Sequence, residues 1–251
     1  MRLLLLDIET APNIAHVWGL WQQNVGLNQL LASGYVLCWA AKWYGDKEVF
    51  FESVQHTKPR KMLKRVHDLI TECDAVIHYN GKSFDMPTLN KEFLIHKMLP
   101  PPPYKQIDLC QVAKSTFRFP SNKLAHIAKE LGVTEKKNNR GHDLWTGCMN
   151  GDPECWTEME DYNRGDVVTL EEVYERMRPW VRVHPNHGIY DEPGIPVCPQ
   201  CGSGRLERRG YVRTMVNKYA RYQCKACGSW TRGPDSEMPK EDRQMIMRRV
   251  V

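Results

Sequence analysis

The hydrophobic and polar positions divide the chain into alternating elements. Leu3-Leu4-Leu5-Leu6 is an unbroken apolar run that predicts a buried strand over about residues 2–8, with Asp7-Ile8-Glu9 at its end. A long segment carrying Trp18 and Trp21 follows with little periodicity. Tyr35 to Trp43 reads as a strand, Gly45-Asp46 as a tight turn, and Glu48 to Val54 as the hairpin partner. Pro59 opens a helix whose apolar positions Met62, Leu63, Val66, Leu69 and Ile70 recur at helical spacing. A strand over 75–79 ends in the turn signal Asn80-Gly81, and a helix is expected over about 86–97, before the extended stretch Pro100–Pro103. Gln106 to Leu109 predicts a short strand, and Ser121 is expected to cap a helix closed by Gly132. Asp152-Pro153-Glu154 marks the start of a helix that runs to about 178, where Pro179 stops it. Early strands with an antiparallel hairpin, then strands alternating with helices, predict an α/β fold with a mixed sheet flanked by helices. Pro- and Gly-rich residues 184–197 read as a linker, and no internal repeat is visible.

The 251 residues, 41% of them hydrophobic, allow one substantial domain with a small appendage. No apolar run approaches the ~20 residues of a membrane span. The leucine run before Asp7 is too short for a secretory h-region and reads as a strand. Cys38, Cys73, Cys110, Cys148 and Cys155 follow no spacing pattern, which points to free thiols in a reducing, cytoplasmic compartment. The net charge of +5 is unevenly spread: from Gly194 onward 12 Lys/Arg face 5 Asp/Glu, while the rest of the chain is slightly acidic. That asymmetry suggests a C-terminal part that holds a polyanion, although a merely soluble basic tail would look the same.

The candidate chemistry lies in separated acidic residues. Asp7 and Glu9 are i and i+2 on a strand and share a face, with Ile8 turned to the opposite layer. Tyr162 and Asp166 are i and i+4 on a helix and are neighbours. Asp85 follows the strand at 75–79. Taken singly, each could be a solvated strand end or a surface helix face. Carboxylates converging from three elements are what hard divalent cations require, because Mg²⁺ takes oxygen ligands and two such ions about 4 Å apart can serve phosphodiester chemistry.

Asp7-Ile8-Glu9-Thr10, Asn80-Gly81-Lys82-Ser83-Phe84-Asp85 and Tyr162-Asn163-Arg164-Gly165-Asp166, in that order, resemble the three motifs of the DEDD 3′–5′ exonuclease superfamily. They are similar to its tyrosine branch, which includes the proofreading domains of family B polymerases. The resemblance covers roughly residues 1–180 and implies an RNase H-like fold, two Mg²⁺ (or Mn²⁺) ions and stepwise release of nucleoside monophosphates from a 3′ end. By the same resemblance Asp7 bridges both ions, Glu9 and Asp166 complete the tighter site, and Asp85 holds the second ion through water. Tyr162 orients the attacking water. Asn80 and Phe84 are implied substrate contacts, though Phe84 could be core. Gly165, inside a helix, suggests close backbone approach. Asp108 and His78 read as structural. His142, placed before the long helix, does not replace Tyr162. Trp18 and Trp21 could stack a terminal base as a lid or fill the core.

Cys198-Pro199-Gln200-Cys201-Gly202 and Cys224-Lys225-Ala226-Cys227-Gly228 form two knuckles separated by 22 residues. Four thiolates so spaced suit one structural Zn²⁺ in a zinc ribbon over 198–235, with redox pairs or an iron–sulfur cluster as alternatives. Each following Gly suits a turn with positive φ. Arg208, Arg209, Arg213 and Arg221 lie between the knuckles among tyrosines, as phosphate-binding residues would. Alternatively, the tyrosines pack on the metal core. Residues 236–251 read as a basic tail that forms a short helix or stays mobile.

Three functions follow as expectations: a 3′–5′ exonuclease favouring single-stranded DNA over RNA, a non-catalytic nucleic-acid-binding module, or a structure-specific endonuclease. The expected partner is a nucleic acid with a free 3′ end, with a separate polymerase or replication protein as a second candidate and no membrane.

Overall fold

The computed structural model describes residues 1–134, 140–192 and 194–247. Two compact units emerge, one formed by Arg2–Glu175 and the other by Met1 with Arg176–Val251.

The first unit is built on β1 (Leu3–Thr10), whose four leucines are all buried, as expected of a strand covered on both faces. A small hairpin, β2 (Ile14–Ala15) and β3 (Leu30–Ala32), leaves its C-terminal end and returns to β4 (Val36–Trp43) and β5 (Phe50–Ser53). Trp18 and Trp21 lie in that hairpin's loop at 97% and 85% exposure, so neither is a core residue. Next come α1 (Pro59–Glu72), β6 (Ala75–His78), α2 (Asp85–Ile95), β7 (Lys105–Asp108), α3 (Leu109–Thr116), α4 (Leu124–Leu131), α5 (His142–Met149) and α6 (Pro153–Met177), whose last two residues fall in the second unit. The sheet order is β5-β4-β1-β6-β7, antiparallel from β5 to β1 and parallel from β1 to β7, which is the mixed sheet expected.

Side-chain alternation divides the core in two. Leu4, Leu6 and Ile8 pack with Met62, Leu63 and Val66 of α1 and Leu89 and Phe93 of α2. On the other face Leu37 and Cys38 meet Leu144 and Cys148 of α5 and Trp156, Met159 and Tyr162 of α6. Ile8 therefore faces away from the layer that Asp7 and Glu9 share. Helix α6 earns its 25 residues with a continuous buried stripe that includes Trp156, Met159, Asn163, Val167, Leu170 and Tyr174. Asp152 caps it, its Oδ1 accepting the N–H groups of Glu154 (2.9 Å) and Cys155 (3.4 Å).

One expectation is corrected and two gain detail. Ser121 does not cap α4; its Oγ accepts the Lys123 N–H in a local turn, and Lys123 is the N-cap with no side-chain bond. Asp108 ends β7 but also caps α3, accepting the N–H groups of Cys110 and Gln111. A Cβ built on Gly165 meets nothing within 4 Å, so no protein neighbour requires a glycine there.

In the second unit, α7 (His187–Tyr190) lies within the Pro/Gly-rich segment. Strands β8 (Leu206–Arg213), β9 (Lys218–Cys224) and β10 (Trp230–Ser236) form an antiparallel sheet in the order β10-β9-β8. Helix α8 (Lys240–Gln244) follows; residues 248–251 of the basic tail lie outside the described residues. Among the described residues no helix is long and apolar enough to cross a membrane.

Candidate active site and thiolate centre

Asp7 and Glu9 leave the same face of β1, and the β1–β4 register shifts between Glu9 and Thr10, a bulge of the kind that re-aims side chains beside a site. From α6 comes Asp166, which is buried. One carboxylate oxygen from each of Asp7, Glu9 and Asp166 lies within 4.8 Å of the others. Three such oxygens repel one another unless a cation or proton lies among them, and their hard-oxygen chemistry fits Mg²⁺ or Mn²⁺.

Asp85 is not part of this triplet. It is the first residue of α2, is buried, and accepts the backbone N–H of Ile8 at 3.2 Å, which ties it to the peptide between Asp7 and Glu9. Burial pushes its carboxyl up to about 7, against the opposing effect of the Ile8 hydrogen bond. Tyr162 sits one turn before Asp166 and is 8% exposed.

Two residues given no role in the sequence reading complete the cluster. Asn163, fully buried, donates from Nδ2 to Asp7 Oδ2 at 2.7 Å. Trp145 on α5 donates from Nε1 to Glu9 Oε2 at 3.2 Å, and its ring meets Tyr162 edge-on at 6.0 Å between centroids. Asn163 lies within the third motif and could have been noticed there. Nothing local marks Trp145, which is 136 residues from its partner.

Among the other predicted residues, Phe84 precedes Asp85 and is 46% exposed, so it is not core. Asn80 adopts φ 67°, a left-handed conformation that Asn tolerates, and its N–H is held by Asp108 Oδ1 at 2.9 Å. The adjoining Gly81 is required for packing, because a Cβ there would come within 2.5 Å of the His78 ring. His78 itself is buried, accepts the Gly81 N–H and pairs through Nε2 with Gln106; burial lowers its pKa, which fits a packed neutral histidine. Asp108 binds the Asn80 and Lys82 N–H groups as well as its helix cap. Both are structural, as expected, and His142 is an exposed residue opening α5.

In the second unit Cys198, Cys201, Cys224 and Cys227 bring their sulfurs within 4.8 Å of one another. The separations Cys198–Cys227 (3.7 Å) and Cys201–Cys224 (3.6 Å) match the edge of about 3.8 Å that Zn–S bonds of ≈ 2.3 Å give in a tetrahedron. The two knuckles are built alike: Cys198 and Cys224 each accept from the glycine four residues on, Gly202 (φ 72°) and Gly228 (φ 81°), at 2.9 Å. Their own N–H groups reach Ser203 and Ser229, again at 2.9 Å. No cysteine is in a disulfide. Of the four arginines expected to hold phosphate, Arg208 is paired with Glu237 (3.1 Å) and Arg209 with Glu207 (3.0 Å). Arg221 donates Nε to the Arg209 carbonyl (3.0 Å), and Arg213 is an exposed residue ending β8.

A family model described as the RNase_H superfamily matches residues 5–178. No curated protein matches the chain. Among solved structures it is similar to the family B DNA polymerase from the hyperthermophilic archaeon Pyrobaculum calidifontis, with a TM-score of 0.54 and 16% identity. That similarity takes in 71% of this chain but 24% of the polymerase, and at this identity it speaks to fold alone.

Proposed function

Since the chain belongs to the RNase_H superfamily, we propose that it is a metal-dependent 3′–5′ exonuclease of the tyrosine-bearing DEDD type, with a zinc ribbon that holds the substrate. The observation that carries this reading is the convergence of Asp7 and Glu9 from β1 with Asp166 from α6, beside Tyr162. Asp7 would be shared by two ions, Glu9 and Asp166 would complete one site, and Asp85 would serve the other through water. Bound Mg²⁺ or Mn²⁺ lowers the pKa of a coordinated water and neutralises charge developing on the phosphate. The chain's own groups supply orientation. Asn163 orients Asp7 through Oδ2 and Trp145 orients Glu9 through Oε2. A phenol is a poor base at neutral pH, so Tyr162 would serve to position water. The cysteine tetrahedron would hold one Zn²⁺ as a closed, structural site.

Blocking the 3′ end tests the polarity. Single strands with a 3′-terminal phosphorothioate cap should resist, whereas 5′-capped strands should be consumed to nucleoside monophosphates. Equal consumption of both would favour an endonuclease, and no consumption of either a binding module.

Two further outcomes follow from the site. A hydrogen bond to a charged group contributes about 1.5–3 kcal/mol. Trp145→Phe, which keeps the ring against Tyr162 but removes the N–H, should therefore raise the Mn²⁺ concentration for half-saturation about tenfold; unchanged binding would show that the indole does not orient Glu9.

Asp85 gives a pH signature. Its folded pKa is raised, so its contribution to the metal-free fold is complete below about pH 4 and is lost as pH rises through about 7. Asp85→Asn retains an acceptor for Ile8 and removes the titration. Without added Mg²⁺ or Mn²⁺ its melting temperature should pull ahead of the parent's between pH 5 and 7 and stay ahead above, by about 2–4 °C for each kcal/mol relieved, while turnover is lost. Parallel melting curves across that range would contradict the assignment.

A further inference from the structure

The sheet of the second unit arranges its cations in two different ways. Residues 205–236 contain eight Lys/Arg and two Asp/Glu. Strand alternation and the β9–β10 register place Tyr219, Arg221 and Gln223 of β9 on one face with Trp230 and Arg232 of β10. On that face the side chains interlock diagonally across the strands. The Arg221 guanidinium lies 4.8 Å from the Trp230 ring centroid, and Arg232 lies 4.4 Å from that of Tyr219. Neither arginine has an acidic partner among the described residues. Arg221 spends only Nε, on the Arg209 carbonyl. Arg208, opposite Tyr222 on the other face, is paired with Glu237, and Glu207, opposite Gln223, is shared by Arg209 and Lys225. Trp230 is 53% exposed.

From this we infer that the Arg221–Trp230/Arg232–Tyr219 face is where the ribbon binds single-stranded nucleic acid, resting on the reading above that the ribbon holds substrate. Two guanidiniums held over aromatic rings are ordered before binding. Their remaining N–H groups match phosphate oxygens, and their π-faces, with the exposed part of Trp230, match unpaired bases. A strand running across the sheet meets phosphate and base contacts at each step. A duplex, whose bases are stacked internally, can use only the charges. The sequence reading favoured Arg208, Arg209, Arg213 and Arg221; the ion pairs shift the weight to Arg221 and Arg232, with Trp230 beside them.

The test is binding of a fluorescent single-stranded oligonucleotide to the full chain without added Mg²⁺ or Mn²⁺, over a series of salt concentrations. Zinc content and circular dichroism serve as folding controls. Arg221→Ala/Arg232→Ala should weaken binding at least tenfold and lower the salt slope by about 1.4, since each phosphate contact on a single strand contributes ≈ 0.7. Arg221→Lys/Arg232→Lys should keep most of the slope but lose affinity, because lysine keeps the charge and not the planar fork. Trp230→Leu should lose about tenfold with the slope unchanged. Arg208→Ala/Arg209→Ala should have the smaller effect. If that last pair weakens binding and the ladder variants do not, the ladder is the wrong site although the ribbon still holds nucleic acid. If neither pair matters, the ribbon's role in substrate binding itself falls. Equal affinity for duplex and single strand would overturn the single-strand assignment.

Discussion

Asp7→Asn is expected to reduce turnover by about a thousandfold or more while leaving the fold and nucleic-acid binding intact. The substitution preserves shape but removes the charge of the residue proposed to be shared by two ions. Each tenfold in rate corresponds to about 1.4 kcal/mol, so losing the several kcal/mol that metal ions supply to a phosphoryl transition state gives a loss of this size. Asn163 gives the variant a second signature. Its Nδ2 donates to Asp7 Oδ2 at 2.7 Å, and an amide at position 7 can still accept that bond through one atom. The variant should therefore melt close to the parent, or above it when no divalent ion is added, because the repulsion among three carboxylates is relieved. Undiminished turnover would remove Asp7 from the catalytic site. Lost turnover with a large drop in melting temperature would mean that Asp7 acts structurally.

The second large effect is expected from the four cysteines. The β8–β10 sheet has very little apolar core of its own: Ala220 and Cys224 are the buried hydrophobic residues on its strands. A module this small needs a staple, and structural zinc sites contribute roughly 10–16 kcal/mol of folding free energy. Cys224→Ser should therefore abolish bound zinc and strip amide hydrogen-exchange protection from residues 206–236. Protection in β1, β4 and α6 should persist, because their core lies in the other unit. Single-strand affinity should fall by about a hundredfold, as the ordered Arg221 and Arg232 platform is lost with its sheet. A ribbon still protected without metal would show that the cysteines do not hold it together.

The parts of the fold that were legible in the sequence are those with long periodic signals. The leucine run gave β1, the spacing of Met62, Leu63, Val66 and Ile70 gave α1, and Asp152-Pro153 gave the start of α6. Positive φ at Gly202 and Gly228 could be read from the knuckles alone. Short elements escaped. Helices α3 and α5 have eight residues each, too few for periodicity to separate them from loops, and Asp108, which does end β7, has a capping role that depends on the backbone that follows. Ser121 shows the converse error: a good capping residue whose hydroxyl was used two residues too early.

The same division holds within the candidate site. Asp7, Glu9 and Asp166 could be grouped because strand and helix periods put each on a definable face, and three motifs in order supplied the rest. Trp145 could not, since its bond to Glu9 exists only once α5 packs against the sheet. Which arginines have acidic partners was legible only in part: Glu207 and Arg209 are i and i+2 on β8, whereas Glu237 reaches Arg208 only once the strands have paired.

The most direct test of the exonuclease assignment is a time course on 5′-labelled single strands, DNA and RNA in parallel, with Mg²⁺ and with the Asp7→Asn variant alongside. The account predicts a ladder that shortens one nucleotide at a time from the 3′ end, with DNA consumed faster than RNA, and no ladder from the variant. Internal cuts from the first time point, or intact label throughout with the metal present, would contradict it.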